Sequence, residues 1–141
     1  TRIVQFSKLS DDLQRRHEAV CRIDAAAIAA SQVARPLNDI FGQIVAAYIA
    51  EGFPDEWRAH HQGGTSGYMP RETVANPSAA ATLQPMQVVA WNPTITGTKS
   101  EDTILVTSDG FEWITAPGEG WTTIEVKLNG HNFRRAAILV R

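Results

Sequence analysis

A single cysteine, Cys21, stands among 141 residues, so no internal disulfide can brace this fold. That usage suits a reducing compartment, and the thiol reads as a small buried hydrophobe. No apolar run approaches the roughly 18 residues that a bilayer span requires, and no signal-peptide pattern is present, so the expectation is a soluble, cytoplasmic protein with no membrane partner. Basic residues never run beyond the pairs Arg15 with Arg16 and Arg134 with Arg135, and 13 Lys plus Arg against 15 Asp plus Glu leave a formal net charge of -2. The electrostatic footprint of a nucleic-acid binder is missing, and nucleic acid is not expected as a partner. There is no internal repeat and no low-complexity tail. The initiator methionine is also absent, which reads as a processed or trimmed piece of something longer.

What is present suffices for one domain, 1–141, able to bury about 68% of its unfolded surface. Ser10, Asp11 and Asp12 form a capped, acidic helix start, and Val20, Ile23, Ala27 and Ile28 continue at helical spacing to Ser31. A second helix is expected with Asn38 as its cap, Ile40, Phe41, Ile44, Val45, Tyr48 and Ile49 on its apolar face, and Gly52 as its stop. From Gly63 onward turn residues become dense and apolar stretches shorten to strand length. Strands are expected at 86–91, 103–107, 111–114, 122–128 and 133–140, with Asn129 and Gly130 turning the last hairpin and 73–83 forming a long loop. The fold class is therefore α+β, two N-terminal helices on a mostly antiparallel sheet.

The candidate chemistry centres on "RAHHQGGTSGY", which sets His60 and His61 against a glycine pair. A phosphate loop would place its glycines after a strand and before a helix, whereas these follow a helix and lead into strands. Cys21, in an alanine-rich helix, shows no sign of an activated nucleophile. Imidazole and carboxylate are natural ligands of divalent ions, and "GTKSEDTILVT" offers the carboxylates. Strand alternation turns Glu101 and Asp102 to opposite faces, so only one can enter a given site. The tryptophans read as core or sheet-face anchors. His17 reads as a surface residue, His131 as a hairpin residue, and Arg71 with Glu72 as an ion pair.

The order "HHQGGTSGY", "VVAWNPTITG" and "KSEDTILVTSDGFE" resembles the C-terminal half of the pita-bread metallopeptidases, the family of methionine aminopeptidase, Xaa-Pro aminopeptidase, prolidase and creatinase. The upstream "TRIVQFSKLSDDLQRRHEAVCRIDAAAIAA" and "ARPLNDIFGQIVAAYIAEGF" resemble the segments that follow the family's second aspartate ligand and lead to its histidine loop. The resemblance places the family's metal-binding histidine on His61, with His60 as its neighbour, and its final glutamate ligand on Glu101. It puts Asn92 where the first glutamate ligand stands, and Tyr68 where active members have a second histidine. The family's aspartate ligands fall ahead of Thr1. The implied cofactor is a divalent ion, Mn, Zn, Co or Fe, in a full-length protein, with none or weak binding expected here. The implied partner is a small peptide or amide substrate, and a homodimer is held open. Three functions follow: a peptidase-like hydrolase with an altered or incomplete metal site, a metal-independent hydrolase of the creatinase kind, or a non-catalytic binding relative.

Overall fold

The computed structural model describes residues 1–141. Helix α1 (Asp11–Ala30) starts where the Ser10 hydroxyl accepts the Leu13 amide at 3.2 Å, and Asp12 in its first turn holds Arg15 and Arg16 at 2.8 and 2.7 Å. From Ala19 onward α1 is buried on nearly every side, because α2 packs on one flank and strands on the other. Helix α2 (Leu37–Ala50) begins one residue before the expected cap: Pro36, not Asn38, is the flanking residue. Its free amides find other partners. Leu37 and Asn38 donate to the carbonyls of Ala81 and Ala79, both at 2.9 Å, so the returning chain caps the helix and no side chain is needed. Gly52, at φ +84°, ends α2.

The strands are β1 (Val4–Gln5), β2 (Gly63–Ser66), β3 (Thr73–Val74), β4 (Val88–Trp91), β5 (Thr94–Ile95), β6 (Thr98–Lys99), β7 (Asp102–Thr107), β8 (Gly110–Trp113), β9 (Thr123–Leu128), β10 (His131–Ala136) and β11 (Leu139–Val140). An antiparallel five-stranded sheet has the order β3-β2-β4-β7-β8. Beside it lie the β5-β6 ribbon, the β9-β10 hairpin turned by Asn129 and Gly130 at φ +51° and +79°, and a parallel β1-β11 pair.

Several boundaries shift by a residue or two, and three departures have a clear structural reason. Met86 sits at φ +62° outside the ladder, so the strand starts at Val88. The stretch 133–140 is two strands, since its end leaves β9 to pair with β1. The loop 73–83 opens with two residues of β3. The core gathers Ile23, Ile28, Ile44, Trp91, Ile104 and Phe133 between helices and sheets. Cys21 is buried there. No helix is long and apolar enough to cross a membrane.

His17 is not on the surface: it is 4% exposed. Its Nε2–H donates to the Ala136 carbonyl at 2.9 Å and Nδ1 accepts the Thr98 hydroxyl at 2.6 Å, contacts from β10 and β6 that no reading of α1 alone supplies. Burial pushes its pKa below the ordinary imidazole value, against the pull of the Ala136 carbonyl. The native state therefore prefers neutral His17. Its contribution is complete above the unfolded value of about 6.5 and is lost as pH falls through the lower folded value. We expect thermal stability to decline with acid below about pH 6.5, and His17→Gln to flatten that limb of the curve. An unchanged limb in the variant would rule His17 out as its source.

Candidate functional site

The glycine pair is a requirement of strand packing. Gly63 and Gly64 have φ +119° and +153°, and a Cβ built on them would stand 2.3 Å from the Ala90 carbonyl oxygen and 2.0 Å from that of Thr73. Both obstacles are backbone atoms of the flanking strands β4 and β3. Only glycine lets β2 lie between them.

That packing fixes the site by register. Gly63 pairs with Trp91 and Trp91 with Asp102, so the three form a row across β2, β4 and β7. His61 and Gln62, Asn92 and Glu101 lie immediately beyond the row, at one end of the sheet, and the Asn92 amide donates to the Gln62 carbonyl at 3.0 Å. Gln62, fully buried, locks the loop. Its Oε1 faces the Tyr48 hydroxyl at 2.9 Å, and its Nε2 donates to the carbonyls of Trp57 and His60 at 2.9 and 2.8 Å. No chemical role for Tyr48 or Gln62 is legible from residue types alone; the one signal was an amide wedged between the histidines and the glycines.

His61 is exposed at the mouth of this arrangement, with the His60 ring edge-on at 5.9 Å and His60 Nδ1–H donating to the His61 carbonyl. Desolvation first, then the electrostatic effect of Arg71, His60 and Lys99 nearby, holds His61 below the ordinary imidazole range, opposed by Glu101. It is neutral at pH 7 and has a lone pair to offer. Asn92 is 5% exposed and its side-chain oxygen has no hydrogen-bond partner. Tyr68 is 99% exposed.

Glu101 and Asp102 face opposite ways. The Glu101 carboxylate receives the Thr1 hydroxyl at 2.8 Å, Lys99 Nζ at 3.0 Å and Arg71 Nη2 at 3.4 Å. Burial pushes its pKa up, but the Thr1 and Lys99 contacts outweigh that and hold it below the usual carboxylate range. Arg71 therefore pairs with Glu101 and not with Glu72, whose carboxylate instead takes the Tyr68 amide at 3.2 Å. Beside Glu101 a cavity of about 390 Å³ is lined by Thr1, Arg2, Asp102, Thr103, Thr115 and Ala116. A groove of about 500 Å³ between the helices is lined mostly by alanine and includes none of these residues.

On the inner face the Asp102 carboxylate accepts from Arg135 at 2.7 Å, Arg2 at 3.0 Å and the Thr115 hydroxyl at 3.0 Å. Arg135 Nη2 also donates to Asp24 at 2.5 Å, and Ser100 supplies its hydroxyl to the same oxygen at 2.5 Å. The Arg135 guanidinium lies 4.9 Å above the Trp113 ring. Burial pushes the Asp24 carboxyl above its ordinary value, against the pull of Arg135. This buried chain of charge backs the strand end that carries Glu101.

A divalent ion held in a catalytic site draws on about three protein ligands plus water. Here one neutral imidazole and one carboxylate lie at the same end of the sheet, with the uncharged side chain of Asn92 on the strand between them. No three His, Cys, Asp or Glu residues are grouped to share an ion. The residues present do not by themselves fit such a metal.

No protein-family model matches the chain. An uncharacterized peptidase of Staphylococcus aureus strain MW2 is 29% identical over 121 residues, covering 82% of this chain and 34% of that protein. The chain thus spans about a third of the length of the curated relatives it matches. An Xaa-Pro dipeptidase from Bacillus anthracis superposes with a TM-score of 0.77 at 18% identity, over 99% of this chain and 36% of that one. The N-terminal domain of FACT complex subunit SPT16 from Cicer arietinum gives a TM-score of 0.65 at 15% identity, over 78% of this chain and 30% of that one.

Proposed function

From the premise that this chain has the α+β fold of the C-terminal half of a pita-bread structure, we propose that it is part of a peptidase-type hydrolase acting on short peptide or amide-like substrates, with an altered metal site. The observation that supports the reading most is the placing of His61, Asn92 and Glu101 side by side at the end of three adjacent strands. Exposed, neutral His61 has the lone pair that a proton acceptor needs at a scissile amide. Asn92 supplies an amide dipole and no charge. Lys99 and Arg71 bring positive charge to the same end of the sheet, where a developing oxyanion would be stabilised. A divalent ion, where one is bound, supplies Lewis acidity and an activated water. No step above depends on it.

The test uses the full-length protein on Xaa-Pro dipeptides. His61→Ala should lower kcat/KM by about a hundredfold or more. Asn92→Glu restores a carboxylate and should raise metal occupancy, whereas Asn92→Ala should leave occupancy near that of the parent. A parent that already binds two ions stoichiometrically would end the altered-site reading. A parent that cleaves no such peptide or amide would favour a binding role, the reading supported by the same fold in a subunit of a protein complex.

A further inference from the structure

The Glu101 carboxylate is already surrounded. Lys99 Nζ and the Thr1 hydroxyl meet Oε2, and Arg71 Nη2 meets Oε1. An ammonium and a guanidinium together carry two positive charges, the charge of one divalent ion. Arg71 also reaches the other way. Its Nη1 donates to the Pro70 carbonyl at 2.7 Å and to the Ser66 hydroxyl at 3.2 Å, and that hydroxyl donates to Pro70 at 2.8 Å. The turn between β2 and β3 is thereby tied through one guanidinium to the start of β7. The tie therefore fixes the far end of β2, the strand whose near end leads back through Gln62 to His61.

Charge balance argues in the same direction. Within residues 1–141, one carboxylate on this face meets two cations, while its neighbour Asp102 is turned inward and engaged by Arg135 and Arg2. Position 92 adds no negative charge. A dication approaching Glu101 must displace Lys99 and Arg71 or sit beside them, and like charges a few ångströms apart repel strongly in a partly desolvated site.

We infer that Lys99 and Arg71 take the place of a divalent cation on Glu101, so that Glu101 serves as the anchor of the turn between β2 and β3 and not as a metal ligand. This deepens the proposed function, on which it rests for placing the reactive centre at His61, Asn92 and Glu101. Glu101 is then a positioning residue. The chain's own cations supply the local positive charge.

The experiment titrates the full-length protein with Mn²⁺ alone, read by electron paramagnetic resonance. The parent and Glu101→Gln should bind Mn²⁺ with affinities within about twofold of each other. Lys99→Met combined with Arg71→Met should bind at least about tenfold more tightly, a gain abolished when Glu101→Gln is added. A parent that loses more than about tenfold in Mn²⁺ affinity on Glu101→Gln overturns the inference. If the double variant does not fold, the comparison of the parent with Glu101→Gln decides. Hydrogen exchange gives a second readout: without metal, amides of 64–72 should exchange about tenfold faster in Glu101→Gln and in Arg71→Met, and unchanged exchange in both contradicts the anchor. Peptide cleavage is scored separately. Cleavage that survives a chelator supports the inference and the peptidase reading together, whereas cleavage abolished by a chelator overturns the inference and leaves the peptidase reading standing. Absence of any cleavage sinks the peptidase reading, and the Mn²⁺ and exchange results still judge Glu101.

Discussion

Gly64→Ala will lower the melting temperature of the protein by on the order of 10–15 °C and loosen His61 with it. The added methyl would stand 2.0 Å from the Thr73 carbonyl oxygen and 3.0 Å from its carbon, and neither backbone atom can rotate out of the way. The backbone at φ +153° also disfavours any residue with a Cβ. Overpacking and backbone strain together cost about 3–5 kcal/mol, and relief requires pulling β3 off β2. Gly118→Ala is the control. A Cβ there meets nothing within 4 Å and the residue is not at positive φ, so its melting temperature should stay close to the parent's. Equal melting temperatures for parent and Gly64→Ala would show that the strands are not held this tightly.

Arg135→Met should be nearly as damaging, for an electrostatic reason. Asp24 would keep only the Ser100 hydroxyl and Asp102 would keep Arg2 and Thr115, with both carboxylates still buried. Breaking one side of a buried ion network typically costs about 3–5 kcal/mol, although a wholly apolar replacement of such a network can be neutral. Two consequences separate this account from a simple packing defect. Adding Asp24→Asn to Arg135→Met should recover part of the loss. The penalty should also depend on pH: without Arg135 the Asp24 carboxyl rises further above its unfolded value, so the deficit is small in acid and grows as pH climbs through and beyond about 4. A deficit independent of pH between 4 and 7, measured by denaturant unfolding, would assign the effect to lost packing alone.

Local signals carried the reading of the sequence as far as they are local. Ser10 announces α1 because a cap acts within one turn, and Asn129 with Gly130 announces the hairpin because the turn itself demands positive φ. Asn38 misled for a related reason. Its side chain does accept the next amide, yet the helix start is set by Pro36 and by carbonyls from the segment around residue 80. The break within 133–140 answers to a strand at the far end of the chain. His17 and Asp24 lie on a helix whose two flanks are both covered, and periodicity within that helix reports one buried stripe only. Asp24 did leave a trace, as an acid inside the run "CRIDAAAIAA", but its partner Arg135 sits on a strand read as an ordinary hairpin arm. At the candidate site, residue types pointed to His61 and Glu101, whereas Asn92 entered only through the family resemblance. The cations around Glu101 did not show, because Arg71 reaches it across the fold and was more simply paired with its neighbour Glu72.

The pairing of β1 with β11 bears on the order in which the molecule assembles. Helices α1 and α2 are neighbours in the chain and pack on each other, and the β7-β8 and β9-β10 hairpins close short loops, so each can form early at small entropic cost. The parallel pair must join two-residue strands from opposite ends of the sequence, and a loop of that length is closed cheaply only after the intervening chain is already compact. The expected order therefore has this pair forming after the sheet and helices have brought Val4 and Leu139 together. Because Thr1 and Arg2 lie just ahead of β1 and hold Glu101 and Asp102, the pairing of β1 with β11 is coupled to the contacts around both carboxylates.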